Sequence, residues 1–492
     1  MPLVAGVDSS TQSCTVEVRD SDTGALLGHG RAPHPRTHPP VSEQSAAAWW
    51  DAFTRAFAVA TSAAGVDACD IAAISVAGQC HGLVMLGTDG QPLRDVKLWN
   101  DTTSAPQAAA LVAARGVPWW AETIGSVPTA AFTITKLAWV AEHEPALLDR
   151  LATVLLPHDY LTWRLTGRYV TDRSEASGTG YYSVDGSWLP DLLTETVGAR
   201  VDWSAVLPTV LAPGEAAGTV RSNVARELGL RDGVIVGPGA GDQHAGALGL
   251  GLAAGEVCYT LGTSGVVLTT TKVPVLDTTG WVNSVADAAG GYLPLVCTLN
   301  CTKVTDTFAG LLGVDLDGLA ALALAATPSP DRPILAAFLD GERSPNRPEA
   351  TGLLGGLTNA TTREQLALAA YEGVLLGLVR GHDRLRVAGV STDGAVVTTG
   401  GGARSGAYRQ VLADLLAVPV EVRNAPEATA RGACVQAATV LAGTDIDDVR
   451  DSWRPATTTT TQPRTQALSD VRERYEALVD RVHLDRTDQV TE

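Results

Sequence analysis

Short apolar runs that break abruptly into clusters of serine, threonine and glycine set the first constraint on this chain. Residues 3–7 have the look of a buried strand. The run stops at Asp8, and the small polar loop Ser9-Ser10-Thr11-Gln12-Ser13 leads into a second run at 14–18. The same grammar returns as a strand at 257–260, the turn Leu261-Gly262-Thr263-Ser264-Gly265, and a strand at 266–268. The recurrence is a weak self-similarity and serves as a hint of two halves that share one plan. Length agrees, because 492 residues exceed what a single core organises.

Two glycine loops punctuate the strands. Gly233 opens a strand that ends in Gly237-Pro238-Gly239-Ala240-Gly241-Asp242, and a helical run follows at 243–252. Asp242 falls at the start of that helix, where unpaired amides and the helix dipole favour a carboxylate, so a plain N-cap is one reading of it. Further on, a strand at 395–399 leads through Gly400-Gly401-Gly402-Ala403 into a helix at 405–416. Such a loop lets main chain approach a ligand closely, and it also serves ordinary strand–helix connections. Residues 456–466 are threonine-rich, contain Pro463 and read as a linker, and 468–482 read as an amphipathic terminal helix.

Several function classes are disfavoured. Against 54 acidic residues stand 36 basic ones, with no basic block, so neither nucleic acid nor a membrane surface is an expected partner. There is no signal-like leader and no apolar stretch of about 20 residues, which leads to the expectation of a cytoplasmic protein. Seven scattered cysteines read as reduced thiols, and Cys297 and Cys301, the close pair, would need further ligands to hold a metal. The four lysines, 97, 136, 272 and 303, each follow Val or Thr, so a Walker A loop is absent. Neither Asp-Phe-Gly nor His-Arg-Asp occurs, which removes the protein-kinase set.

In order and separation, Asp8-Ser9-Ser10-Thr11-Gln12, Gly241-Asp242-Gln243, Leu261-Gly262-Thr263-Ser264-Gly265 and Gly400-Gly401-Gly402-Ala403-Arg404 resemble the FGGY carbohydrate kinases. The segment from Gly352 through Gln365 to Tyr371-Glu372 is similar to that family's C-terminal signature. Ser42-Glu43-Gln44, Gly78-Gln79-Cys80-His81-Gly82, Leu98-Trp99-Asn100-Asp101 and residues 338–345 are similar to the xylulokinase branch, although Cys80 and Gln243 depart from its usual residues, and Gly-Asp-Gln is the form found in glycerol kinases.

The resemblance implies an α/β fold of two ribonuclease-H-like domains of the actin and sugar-kinase superfamily with an interdomain cleft. Residues 1–246 would be the mainly sugar-binding domain, 247–455 the mainly ATP-binding one, and 456–492 the linker and terminal helix. It implies ATP-dependent phosphorylation of a ketopentose, D-xylulose to its 5-phosphate, with ATP and Mg²⁺, and a homodimer as the assembly to test for. Asp242 would be the base, beside its N-cap reading, and Asp8 would hold Mg²⁺ directly or through water, beside a turn-stabilising reading. Gln79, Cys80, His81, Trp99, Asn100, Asp101 and Gln243 would contact the sugar. Thr11, Gly262, Thr263 and Ser264 would face the phosphates and Gly401, Gly402 and Ala403 the adenosine, with simple turns as the alternative. His244 has no role assigned. Other readings left open are a ribulose or glycerol kinase, a sugar-responsive regulator, and an actin-like ATPase.

Overall fold

The computed structural model describes residues 2–327, 329–464 and 469–482. It divides into two compact units. One comprises the chain up to Gly251 with Lys272–Leu293 and Glu427–Pro455, and the other Leu252–Thr271, Pro294–Pro426 and the chain from Ala456.

In the first unit the predicted hairpin is present and longer than its apolar runs. Leu3–Ser9 pairs antiparallel with Ser13–Asp20, which pairs antiparallel with Leu26–Pro33. The second strand is buried along its whole length, polar Thr15, Glu17 and Arg19 included. Glu17 and Arg19 escape the cost of burial by pairing at 2.8 Å. On its other edge Leu3–Ser9 takes Ile71–Gly78 in parallel, and Ile235–Val236 adds parallel to that. The helix Ala46–Ala64 covers one face through Trp49, Phe53 and Phe57. A second apolar cluster gathers Trp120, Ile134, Leu137, Tyr181 and Trp203.

The other unit repeats the plan. Val257–Leu261 pairs antiparallel with Gly265–Thr269, which pairs antiparallel with Tyr292–Thr298. Val396–Thr399 lies parallel on the free edge of Val257–Leu261, and Val420–Arg423 lies parallel beyond it. Both sheets are therefore an antiparallel meander extended by parallel strands on the edge of its first strand, the two-half arrangement expected from the recurring hairpin. The long helix Arg363–Val387 starts with a reciprocal cap between Thr362 and Gln365, a signature position. Glu372, also from that signature, is buried and holds the guanidinium of buried Arg332 with two oxygens at 2.8–3.1 Å.

One expectation differs from the structure. The threonine-rich linker is instead the strand Thr457–Thr461, antiparallel to Val420–Arg423, because β-branched side chains suit an edge strand even where they are exposed. The terminal helix is Ser469–Arg481, and residue 468 lies outside the described residues. The helix Ala428–Ala442 belongs to the first unit, where it packs over Leu3–Ser9 and Ile71–Gly78. Its crossing with Asp242–Gly249 is close enough that Gly249 and Gly432 leave no room for a Cβ. Among the described residues no single helix is long and apolar enough to cross a membrane.

Candidate active site

Three parallel strands of the first unit end side by side. Ser9 stands opposite Gly78, and Gly78 stands opposite Gly241 on its other edge. The carboxyl ends of such strands are where open α/β sheets meet their ligands. Chain order then delivers Asp8 at the end of the first strand, Gln79, Cys80 and His81 just past the second, and Asp242 and Gln243 just past the third.

Asp242 is the first residue of the helix Asp242–Gly249, and Gly241 occupies the cap, so the N-cap reading is displaced by one position. The Gln243 amide donates to its Oδ1 at 2.7 Å, and the Cys80 thiol donates to the same oxygen at 3.3 Å. Burial raises the Asp242 carboxyl above its usual range, opposed by these two hydrogen bonds. Asp8 accepts from the Ser10 hydroxyl at 2.5 Å. Burial pushes its carboxyl up to about 7 against that hydrogen bond, and the charges of Asp242 and Glu427 add to the push. Asp8, with the carboxylates of Asp242 and Glu427 near enough for their charges to act on it, offers the oxygen donors that a hard cation such as Mg²⁺ takes.

His81 has a left-handed backbone, φ 65°, unusual for a residue with a Cβ. The surroundings hold it there. Its amide donates to Glu175 Oε2 at 3.1 Å, its carbonyl accepts from Thr133 Oγ1 at 3.1 Å, and its ring stacks on Phe132 at 5.1 Å. Strain of this kind, roughly 1–3 kcal/mol, persists where neighbours over-determine the conformation, and it concentrates at functional sites. Gln79 is buried with neither amide atom hydrogen-bonded, and Asn100 Oδ1 is likewise buried without a partner. Trp99 Nε1 donates to Thr11 Oγ1 at 2.9 Å, which joins an expected sugar contact to an expected phosphate contact. Asp101 is different: fully buried, it accepts from the amides of Ser42 and Thr103 at 2.8 and 3.0 Å and lies 3.4 Å from Lys97. Its carboxylate is committed to holding the turn that carries Trp99 and Asn100.

In the second unit the turn 261–265 and the loop at Gly400 lie against each other. Gly400 has φ 86°, and a Cβ there would stand 2.7 Å from the Leu261 carbonyl oxygen, while one on Gly402 would stand 2.8 Å from Leu261 Cβ. At Gly401 a Cβ would meet nothing within 4 Å, so this loop turns a bare backbone face to open space. The carbonyls of Gly262 and Thr263 accept from the amides of Thr302 and Cys301, which fixes the turn against the start of the helix Thr302–Leu312. Ser264 follows in that turn, and Ala403 is buried beneath the glycine loop.

Sequence reasoning passed over the layer behind Cys80. Asp172 caps the short helix Arg173–Ala176 through the amides of Ser174 and Glu175, and so positions Glu175 under His81. His158 Nε2 lies 3.2 Å from both Asp159 and Asp172. Burial would lower that imidazole, but the facing carboxylates win and push it up to about 9. The signal available was Asp172 followed three residues later by Glu175, a cap pattern with no apolar run to draw notice.

Family models for carbohydrate kinases match both halves, the FGGY N-terminal domain over residues 3–249 and the FGGY C-terminal domain over 257–441. This chain belongs to the FGGY family of carbohydrate kinases. Among its relatives, the xylulose kinase of Streptomyces coelicolor is 44% identical over 92% of this chain and 91% of its own. That of Streptomyces rubiginosus is 43% identical over the same shares. The crystal structure of xylulose kinase from Bifidobacterium adolescentis superposes on this FGGY kinase with a TM-score of 0.85 at 38% identity, covering 97% of this chain and 99% of that one. The fold is that of the sugar kinases, and ATP is the phosphoryl donor the family implies.

Proposed function

We propose that this FGGY kinase transfers the γ-phosphoryl group of ATP to D-xylulose, releasing D-xylulose 5-phosphate and ADP. The observation that carries the reading is Asp242, a carboxylate fixed at a helix start by Gln243 and Cys80, at the shared end of three parallel strands with Asp8 nearby. The sugar is supported by the Gln79-Cys80-His81 and Trp99-Asn100 motifs and by relatives named xylulose kinases at 43–44% identity.

In this reading Asp242 accepts the proton of the attacking hydroxyl, and its fixed position keeps it aimed as the oxygen–phosphorus bond forms. Asp8, crowded by other carboxylates, holds Mg²⁺ directly or through water. When bound, Mg²⁺ supplies neutralisation of phosphate charge. Gln79, His81, Trp99, Asn100 and Gln243 orient the sugar, while Asp101 acts through the turn it holds. Thr11 and the amides and hydroxyls of Gly262, Thr263 and Ser264 face the phosphates, and Gly401, Gly402 and Ala403 leave room for the adenosine.

The test is ADP release measured in parallel with D-xylulose, ribulose, xylitol and glycerol. D-Xylulose is expected to give the highest kcat/KM, whereas preference for glycerol would mean that Gln243 marks the substrate. Asp242→Asn is expected to lower kcat by about 10²- to 10⁴-fold with folding intact. Retention of more than about a tenth of the rate, far above that range, would leave Asp242 a helix-start acid only.

A further inference from the structure

Directly behind Asp242 lies a group of donor atoms whose chemistry differs from that of the Mg²⁺ site. Cys80 Sγ, a carboxylate oxygen of Glu175 and a ring nitrogen of His244 all lie within 4.8 Å of one another. They converge on the bare face of Gly241. A Cβ there would stand 2.5 Å from His244 Nδ1, 2.8 Å from Cys80 Sγ and 2.9 Å from Glu175 Oε1. Glu175 is fully buried and His244 only 3% exposed, yet neither ring nitrogen of His244 has a hydrogen-bond partner. A buried imidazole without a partner is costly, and a thiol, a carboxylate and an imidazole gathered this closely are the donor types of a zinc ligand set.

From this convergence we propose that Cys80, Glu175 and His244 bind one zinc ion or a similar borderline-soft divalent ion, with a water completing the tetrahedron. A tetrahedral zinc site with bonds of about 2.0–2.3 Å sets its donor atoms about 3.5 Å apart, so the three need to close by roughly an ångström through side-chain rotation. Thiolate and imidazole select zinc or cobalt over Mg²⁺, which prefers oxygen donors and its own waters. Binding releases the protons of the Cys80 thiol and the Glu175 carboxyl to solvent as the metal–thiolate and metal–carboxylate bonds form. It also removes the thiol proton that Asp242 Oδ1 accepts, which frees Asp242 from one of its two fixings, so the ion inhibits phosphoryl transfer; this consequence, unlike the binding itself, rests on the proposed role of Asp242.

The full chain, stripped with chelator and free of nucleotide, is titrated with Co²⁺ as the spectroscopic probe. One Co²⁺ per chain is expected, with the intense visible bands of a tetrahedral site and a thiolate-to-cobalt charge-transfer band in the near ultraviolet, both displaced by Zn²⁺. Cys80→Ser, close to isosteric, should abolish the charge-transfer band, and His244→Ala should weaken binding at least about tenfold. Absence of the band in the unmodified chain, or its survival in Cys80→Ser, would overturn the site whatever the variants do to folding. Separately, Zn²⁺ should suppress ADP release reversibly with chelator. Binding without inhibition would sustain the site and overturn its coupling to Asp242.

Discussion

Gly432→Ala should damage both stability and turnover, although alanine is the better helix former. A Cβ on Gly432 would stand 1.8 Å from the carbonyl oxygen of Ala245 and 2.6 Å from its carbon, where real contacts essentially never fall under 3.0 Å. Both obstacles are main chain and cannot rotate aside, so the helices Ala428–Ala442 and Asp242–Gly249 must part by more than an ångström. Overpacking of this kind costs about 1–3 kcal/mol, and alanine's helix propensity returns about 1 kcal/mol. With two rigid main-chain obstacles the cost falls at the upper end of that range, so the net loss, about 2 kcal/mol, lowers Tm by roughly 2–4 °C per kcal/mol in a domain of this size. Asp242 opens the displaced helix, and a shift of about 1 Å at a reacting group can lower kcat about 10²-fold. Gly310→Ala is the matched control. It sits exposed in the helix Thr302–Leu312, and a Cβ there meets nothing within 4 Å, so a gain of about 1 kcal/mol is expected. Calorimetry and ADP-release kinetics on both variants decide the matter; a Gly432→Ala protein with unchanged Tm and kcat would refute the close-crossing argument.

Other expected outcomes follow from single sites. Burial, aided by Asp172 and opposed by His158 and Cys80, pushes the Glu175 carboxyl from 4.5 up to about 8. Its contribution is complete below pH 4.5 and is lost as pH rises through 8, because the unfolded chain gives up this proton first. Glu175→Gln should therefore flatten the decline of Tm with pH and exceed the parent above pH 8; an identical pH profile would contradict the burial assignment. Arg332→Met, which leaves Glu372 buried without its partner, should cost about 3–5 kcal/mol in denaturant unfolding, and Arg332→Met with Glu372→Leu should recover much of it. Gly401→Val should raise the KM for ATP at least about tenfold, about 1.4 kcal/mol, with Tm unchanged, since its side chain enters open space; an unchanged KM would move the adenosine elsewhere.

The amino-acid sequence by itself determined the local grammar. The two hairpins, the glycine turns before Asp242 and after Thr399, and the helices that follow are dictated by near-neighbour sterics and patterning, and they are where the sequence puts them to within a few residues. The family motifs were legible for the same reason, because each is a contiguous run. What crosses long separations was decided only by the tertiary structure. Pairing on both edges of Ile71–Gly78 brings Asp8, Cys80 and Asp242 to one end of a sheet, and the cap at Asp172 carries Glu175 beneath His81. The commitment of Asp101 to Ser42, the return of Ala428–Ala442 to the first unit, and the convergence of Cys80, Glu175 and His244 likewise join residues distant in the chain. Such contacts depend on sheet register and helix crossing, properties of the packed whole that no short window of sequence contains.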